Sequence, residues 1–317
     1  MENLPTFDDV LAAANRLSGH AQPTSMIRSD AIDKLAGRKV WFKPECTQKV
    51  GAFKYRGAFN RLSAMGADER EKGVVAYSSG NHAQGVSRAA KELGMSAIIV
   101  MPTDAPAIKV AGVKNDGAEI VFYDRNTESR EGIAGQISAR DGRIIVPSYD
   151  DPYIIAGQGT TGLEIAQEAA EKNIQIGAFI TPIGGGGLCA GSSLALNALS
   201  PKTKIFAAEP EHYNDHQMSL RSGERQGIKS APPGLCEALM TPIPGELTFA
   251  INGKALTDVF TASDEQCLYA MAIAKRDLGV IVEPGGAVAM AAVLSGSFDA
   301  YSDIETICVV LSGGNVD

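Results

Sequence analysis

Apolar residues recur along this chain with two alternating periods. Short runs rich in Val and Ile are each followed by longer stretches whose apolar positions return every three to four residues. Residues 74–77, 97–101, 118–123 and 143–146 read as strands, and 81–93, 107–116 and 128–140 as the helices between them. Gly94 and Gly117 close the first two helices. The alternation resumes with strands at 178–181, 204–208, 280–282 and 306–311 and helices at 162–171, 188–199, 263–278 and 287–294. Ahead of both series lie a helix over 7–17, with Val10, Leu11, Ala14 and Leu17 on one side, and a strand over 39–43 that turns Val40 and Phe42 one way. A further helix runs from the segment around Lys54 to Met65 and stops at Gly66. Pro232, Pro233, Pro242 and Pro244 leave 211–253 irregular. Apolar strands separated by helices make parallel sheets covered on both faces, so two α/β units with a cleft between them are expected. Ligands of such sheets sit at the carboxyl ends of the strands.

Bulk properties narrow the setting. At 317 residues the chain is long for a single core. A net charge of −8 argues against a nucleic-acid partner, and no apolar run is long enough to span a bilayer. The acidic start Met1-Glu2-Asn3-Leu4-Pro5 lacks the basic and apolar regions of a signal peptide. Cys46, Cys189, Cys236, Cys267 and Cys308 are odd in number and never spaced C-x-x-C. That fits reduced thiols in a cytoplasmic protein better than disulfides or a zinc site.

Five stretches carry candidate chemistry. In Gly51-Ala52-Phe53-Lys54-Tyr55-Arg56-Gly57-Ala58 a lysine has neighbours small enough for a flat ligand to lie close. A lysine held in a pocket sheds its proton more readily and can attack a carbonyl to form a Schiff base; the same residues also fit a surface lysine at a helix start. Gly184, Gly185, Gly186 and Gly187 lie between a strand and a helix. Their N–H groups and the positive end of the helix can cradle an anion, most often phosphate. The spacing is neither of the glycine fingerprints for dinucleotides or nucleoside triphosphates. Ser78-Ser79-Gly80-Asn81-His82 also opens a helix, and offers free N–H groups, hydroxyls and an amide to a carboxylate, or simply a serine cap. Ser312-Gly313-Gly314-Asn315 follows the last strand and alone is a turn. Glu209 and Asp215 are hard oxygen donors six residues apart, able to hold Mg²⁺ or Ca²⁺ with carbonyls and waters, or equally two solvated loop acids.

Taken together and in this order, these segments resemble the fold-type II pyridoxal 5′-phosphate (PLP) enzymes, in the branch of serine racemase, threonine dehydratase and 3-hydroxyaspartate dehydratase. Ala156-Gly157-Gln158-Gly159-Thr160, Ala207-Ala208-Glu209-Pro210, Glu283-Pro284 and the ending from Leu311 to Asp317 extend the likeness over essentially the whole chain. The resemblance implies two open twisted sheets covered by helices, the tryptophan synthase β-like arrangement. The larger, cofactor-binding domain would comprise 1–68 and 150–317, the smaller one 69–149, with the cofactor in the cleft. Lys54 would hold PLP and act as base on one face of the substrate, and Ser79 would serve as acid/base on the other. Phe53 would lie against the pyridine ring, Asn81 would bond its 3′-oxygen, and Ser312 would meet its nitrogen. Gly184, Gly185, Gly186, Gly187 and the N–H of Leu188 would hold the phosphate. Ser78, Ser79, Asn81 and His82 would surround the substrate carboxylate. Glu209, Asp215 and the carbonyl of Tyr213 would bind Mg²⁺ (or Mn²⁺ or Ca²⁺). A homodimer acting on a small amino acid, without a feedback domain after Asp317, is expected.

One departure from the pattern bears on substrate. Serine racemases and threonine dehydratases usually carry Ala-Asp-Gly where this chain has Cys236-Glu237-Ala238. Ala238 would replace the glycine stacked on the ring, which weighs against serine or threonine. Arg130 matches an arginine that in serine racemase reaches bound dicarboxylates, and a planar guanidinium suits a second carboxylate. An exposed arginine paired with Glu131 or Glu128 is the plainer alternative. The expected activity is dehydration of a β-hydroxy amino acid, foremost 3-hydroxyaspartate. Rival readings are a serine racemase or serine/threonine dehydratase, a β-replacement synthase, and a non-catalytic nucleotide-binding regulator.

Overall fold

Strand residues buried on both faces build two sheets, and the glycine- and serine-rich loops gather where those strands end. The computed structural model describes residues 4–316; Met1 to Asn3 of the acidic start and Asp317 of the final segment lie outside it. The chain opens with α1 (Phe7–Leu17), β1 (Ile27–Arg28), α2 (Asp30–Ala36), β2 (Lys39–Lys43), α3 (Lys54–Ser63) and α4 (Ala67–Lys72). A strand–helix series follows: β3 (Val74–Tyr77), α5 (Asn81–Glu92), β4 (Ala97–Pro102), α6 (Ala107–Asn115), β5 (Glu119–Tyr123), α7 (Arg130–Asp141) and β6 (Ile144–Ile145). The chain then continues through α8 (Pro152–Glu171), β7 (Ala178–Pro182), α9 (Gly187–Leu199), β8 (Lys204–Pro210), α10 (Asp215–Ser222), α11 (Glu246–Ala255) and β9 (Leu256–Ala262). It ends with α12 (Asp264–Ile273), α13 (Pro284–Leu294) and β10 (Thr306–Val310).

The six-stranded sheet has the order β1-β2-β10-β7-β8-β9 and the four-stranded sheet β5-β4-β3-β6. Every pairing is parallel except that of β1 with β2. The larger sheet packs on α12 and α13 through Phe206, Val288, Val309 and their neighbours. The smaller sheet packs against α3 and α5, where Tyr55, Phe59, Val86 and Ile99 meet. No helix among the described residues is long and apolar enough to cross a membrane.

Several elements depart from the reading of the sequence. Helix α8 begins ten residues earlier than expected, with the Asp151 carboxylate accepting from the N–H groups of Tyr153 (2.8 Å) and Ile154 (3.0 Å) and Pro152 at its first position. Its glycines are points of close helix packing. A Cβ on Gly157 would stand 2.6 Å from the Arg56 carbonyl, and one on Gly159 2.7 Å from that of Gly191. Residues 211–253 are not wholly irregular, since α10 and most of α11 lie there. Residues 280–282 pair with no strand: they connect Gly279, at φ +70°, to the Pro284 helix start. β1, α2, α4 and the edge strand β9 were not anticipated.

Two residues beyond Lys54, Arg56 is fully buried and fixes α3 to the larger sheet. It donates to Glu45 at 2.7 and 2.8 Å and to Glu164 of α8 at 2.5 and 2.9 Å. Lys43 of β2 reaches the same Glu164 at 2.5 Å. Burial works against the Arg56 charge, but the two carboxylates outweigh it and hold its pKa above the ordinary value. Removing one member of such a cluster strands a buried charge. Arg56→Leu is therefore expected to lose about 3–5 kcal/mol in urea unfolding. A loss below about 1 kcal/mol would mean that α3 is seated by its apolar face alone.

Candidate active site

The chain enters α3 through a strained turn. Val50 has φ +57°, rare for a β-branched residue, and Gly51 follows at +68°. The Val50 carbonyl accepts from Asn315 at 2.7 Å, which ties this turn to the end of the chain. Ala52 bridges to Gly313, and the Phe53 N–H donates to the Ser312 carbonyl at 3.1 Å. Lys54 emerges at the first turn of α3, and its Nζ donates to the Ser148 carbonyl at 2.7 Å. Burial lowers its pKa from 10.5 to about 8, so near neutral pH a useful fraction of the amine is uncharged.

Lys54 stands where two cavities meet. The first is walled by Phe53, Asn81, the four glycines, Leu188 and Ser312. The second, of about 470 Å³, is walled by Ser78, Ser79, Asn81, His82 and Arg130. Ser78 to His82 follow β3, the four glycines follow β7 and Ser312 follows β10, at the carboxyl ends of these strands, whereas Phe53 and Lys54 stand at the start of α3 and Arg130 at that of α7.

The glycine loop is held from behind. The Thr248 hydroxyl donates to the Gly185 carbonyl at 2.6 Å, and the Asn252 amide to that of Gly186 at 3.1 Å. Gly186 has φ +96°, a conformation a side chain would strain. A Cβ on Gly185 would run into the ring of Tyr149, which therefore lies flush on the loop. The first N–H groups of the thirteen-residue α9 are without helical partners here, as an anion requires.

Asn81, at the first position of α5, donates to Glu283 and accepts from Asn315 at 2.8 Å. Glu283 is buried, and burial raises its pKa against the opposing pull of Lys109, 3.8 Å away. His82 lines the second cavity, but its Nε2–H is engaged by the Val146 carbonyl at 2.9 Å. Burial, and then the Lys54 charge, lower its pKa to about 3. The ring is neutral and its free Nδ1 is an acceptor, so His82 can offer an anion its backbone N–H and not its imidazole.

Arg130 begins α7. Its Nε donates to Glu131 at 2.8 Å, and its guanidinium lies 5.5 Å from the centroid of Tyr77. Both the pairing with Glu131 and a place on the cavity wall are therefore present together.

Glu209 and Asp215 are fully buried and not solvated loop acids. Glu209 accepts from the N–H groups of His216 (2.8 Å) and Gln217 (3.0 Å) at the start of α10. Neither Asp215 carboxylate oxygen has a partner among the described residues. Burial, then Asp215, push the Glu209 pKa well up, and burial raises that of Asp215 to about 7. Two buried carboxylates without a cation fit a divalent ion. Tyr213 lies in the turn between them, its N–H on the Pro210 carbonyl at 2.9 Å. No group of three or more His, Cys, Asp or Glu side chains among the described residues is arranged for a metal.

Ser148, Tyr149 and Lys109 were not singled out in the sequence, and Glu283 only as part of the Glu283-Pro284 segment, with no role given to it. The Asp151-Pro152 helix start could have drawn attention to the first two, since residues just before a cap are fixed in space. Glu283 preceding a proline reads only as a cap.

A lysine beside an anion cradle at the carboxyl ends of parallel strands defines an enzyme site of the cofactor-dependent α/β class. The chain belongs to the pyridoxal-phosphate dependent enzyme family, whose model matches residues 17–313. It is 42% identical to an L-threo-3-hydroxyaspartate ammonia-lyase of Saccharomyces cerevisiae, over 99% of this chain and 94% of that protein. It is 38% identical to a serine racemase of Schizosaccharomyces pombe, over 99% and 95%. Among solved structures, maize serine racemase superposes with a TM-score of 0.95 at 37% identity, covering 99% of this chain and 95% of that one.

The lowered pKa can be read directly. In cofactor-free protein, labelling of Lys54 by an amine-selective reagent is expected to rise with pH through a midpoint of about 8. A midpoint near 10.5 would show an amine in bulk-like surroundings.

Proposed function

We propose that this chain removes water from a β-hydroxy amino acid, foremost 3-hydroxyaspartate, to give a keto acid and ammonia. The observation that carries the reading is Lys54 at the junction of the glycine cradle and a cavity walled by Arg130. The likeness to the yeast L-threo-3-hydroxyaspartate ammonia-lyase supports the substrate. The likeness to serine racemases, with Ser79 on the cavity wall, supports serine as a second substrate.

PLP, when bound, supplies the electron sink that lets the α-proton leave. Gly184, Gly185, Gly186, Gly187 and the Leu188 N–H would hold its phosphate, and Phe53 would lie against its ring. Asn81 would meet its 3′-oxygen. Ser312 would offer the ring nitrogen a hydroxyl and no carboxylate, and so would fix no proton there. Lys54, aimed by the Ser148 carbonyl, takes the α-proton on Nζ. Ser78, Ser79 and the N–H groups of Asn81 and His82 bind the α-carboxylate, and Arg130 binds the distal one. The α-proton and the β-hydroxyl leave as water. The enamine that remains rearranges to an imine, and a second water releases ammonia.

Glu209, Asp215 and the Tyr213 carbonyl hold Mg²⁺ (or Mn²⁺ or Ca²⁺) in this reading, with the unpartnered Asp215 oxygens as its support. We further read 69–149 as a smaller domain against 1–68 with 150–317. Five free, buried cysteines suit a reducing cytoplasm, and a homodimer is the expected assembly.

Ammonia and keto-acid release from each 3-hydroxyaspartate stereoisomer, beside L-serine, D-serine and L-threonine, tests the substrate. One hydroxyaspartate is expected to lead in kcat/KM by at least about tenfold, the scale of one added charge-assisted contact. Serine or threonine in the lead would overturn it. For the metal, Mg²⁺ is expected to raise the melting temperature of chelator-treated wild type but not of Asp215→Asn. Equal shifts in both proteins would remove the ion from this pair.

A further inference from the structure

We propose that Tyr77 is the positioning residue that holds Arg130 over the substrate cavity, and that the pair sets the preference for a dicarboxylic substrate. The inference rests on the proposed role of Arg130 in binding the distal carboxylate. Tyr77 ends β3 and immediately precedes Ser78 and Ser79, so its ring stands on the same wall as the loop offered to the α-carboxylate. The other residues of β3 are buried, whereas Tyr77 is half-buried and turned to the cavity. The Arg130 guanidinium lies 5.5 Å from its ring centroid, within cation–π range.

The place of Arg130 in its helix calls for such a partner. It is the first residue of α7, where the helix dipole disfavours a cation. Ser129 already caps the helix by accepting from the Gly132 N–H at 3.1 Å, so the arginine adds nothing to that end. Glu131 engages only its Nε, and among the described residues no hydrogen bond is made by the two terminal nitrogens. A guanidinium stacked by its face on an aromatic ring keeps those nitrogens free for the two oxygens of a carboxylate. Without the ring, a long side chain that is nearly half exposed would sample other rotamers.

The test compares Tyr77→Phe, Tyr77→Leu, Arg130→Ala and the Leu/Ala double variant, each as holoenzyme with its PLP absorbance verified. KM and kcat are measured for the preferred 3-hydroxyaspartate isomer. Tyr77→Leu is expected to raise KM by roughly fivefold or more, the worth of a partly desolvated cation–π contact, with a much smaller change in kcat. Tyr77→Phe keeps the ring and is expected to restore KM. The double variant is expected to be no worse than Arg130→Ala, because Tyr77 acts through the arginine. If Arg130→Ala raises KM but Tyr77→Leu does not, or if the two effects add in full, Tyr77 has no part in holding the arginine. If Tyr77→Phe is as impaired as Tyr77→Leu, the hydroxyl and not the ring face matters, and the inference also fails. If Arg130→Ala leaves KM unmoved, the distal-carboxylate reading itself falls.

Discussion

Arg56, clamped between Glu45 and Glu164, is the constraint on which the site depends. Its guanidinium joins three parts of the chain, namely the turn after β2, the start of α3 and the middle of α8. A buried ion cluster of this kind adds little net stability over an apolar one, but it tolerates only one geometry. That property suits its location. Lys54 lies half a helical turn away, and any slip of α3 would carry its amine out of reach of the Ser148 carbonyl. The turn that delivers the chain to α3 is itself unfavourable. Val50 in a left-handed conformation costs on the order of 1–3 kcal/mol and persists only where the surroundings over-determine it. Asn315 on the Val50 carbonyl and Arg56 below α3 are what over-determine it here.

The linker from β6 to α8 joins the two sheets at the site. Three consecutive residues of it each touch a different part. The Ser148 carbonyl holds Lys54, and the Tyr149 ring covers the glycine loop. The Asp150 carboxylate accepts from the N–H groups of Glu246 (2.9 Å), Leu247 (2.9 Å) and Thr248 (3.2 Å) at the start of α11. Thr248 in turn bonds the Gly185 carbonyl. The connection between the sheets and the back of the anion cradle are thus one hydrogen-bonded unit. A carboxylate at a helix start is also electrostatically favoured.

What the sequence disclosed follows from where information is local. The inner strands of both sheets were legible because buried parallel strands are continuous apolar runs, whereas the edge strands β1 and β9 were not. The glycine loop and the loop from Ser78 to His82 were legible because a strand–loop–helix order with small or polar residues has few other uses. The first half of helix α8 was not, because Gly157 and Gly159 count against a helix locally, whereas their value lies in contacts with α3 and α9 far along the chain. The short helices among the prolines, α10 and α11, were hidden by the same weighting. Side-chain roles were legible as residue types and not as protonation states. The sequence left His82 open between a carboxylate contact and a satisfied helix-start histidine until its Nε2 was found on Val146, and Glu209 and Asp215 open between a metal pair and solvated acids until their burial was known. Burial and hydrogen-bond partners are tertiary facts, and pKa follows from them.

Relatives over the whole chain carry names as different as ammonia-lyase and racemase, so the common scaffold does not by itself select a substrate. Selection has to come from side chains on the walls that the scaffold leaves free. The small-sheet wall contributes Tyr77 and Arg130, and the large-sheet wall Glu237 and Ala238. Lys109 sits between the walls, 4.0 Å from Glu237 and 3.8 Å from Glu283. Ala238 faces Gly285 at the start of α13, where a Cβ would lie 3.5 Å from the Ala238 methyl, an ordinary contact distance. Ala238 lies on the lining of the cavity that the four glycines also wall. In the proposed reading, Arg130 on the far wall would favour a substrate held at two ends over a small one held only by its α-carboxylate.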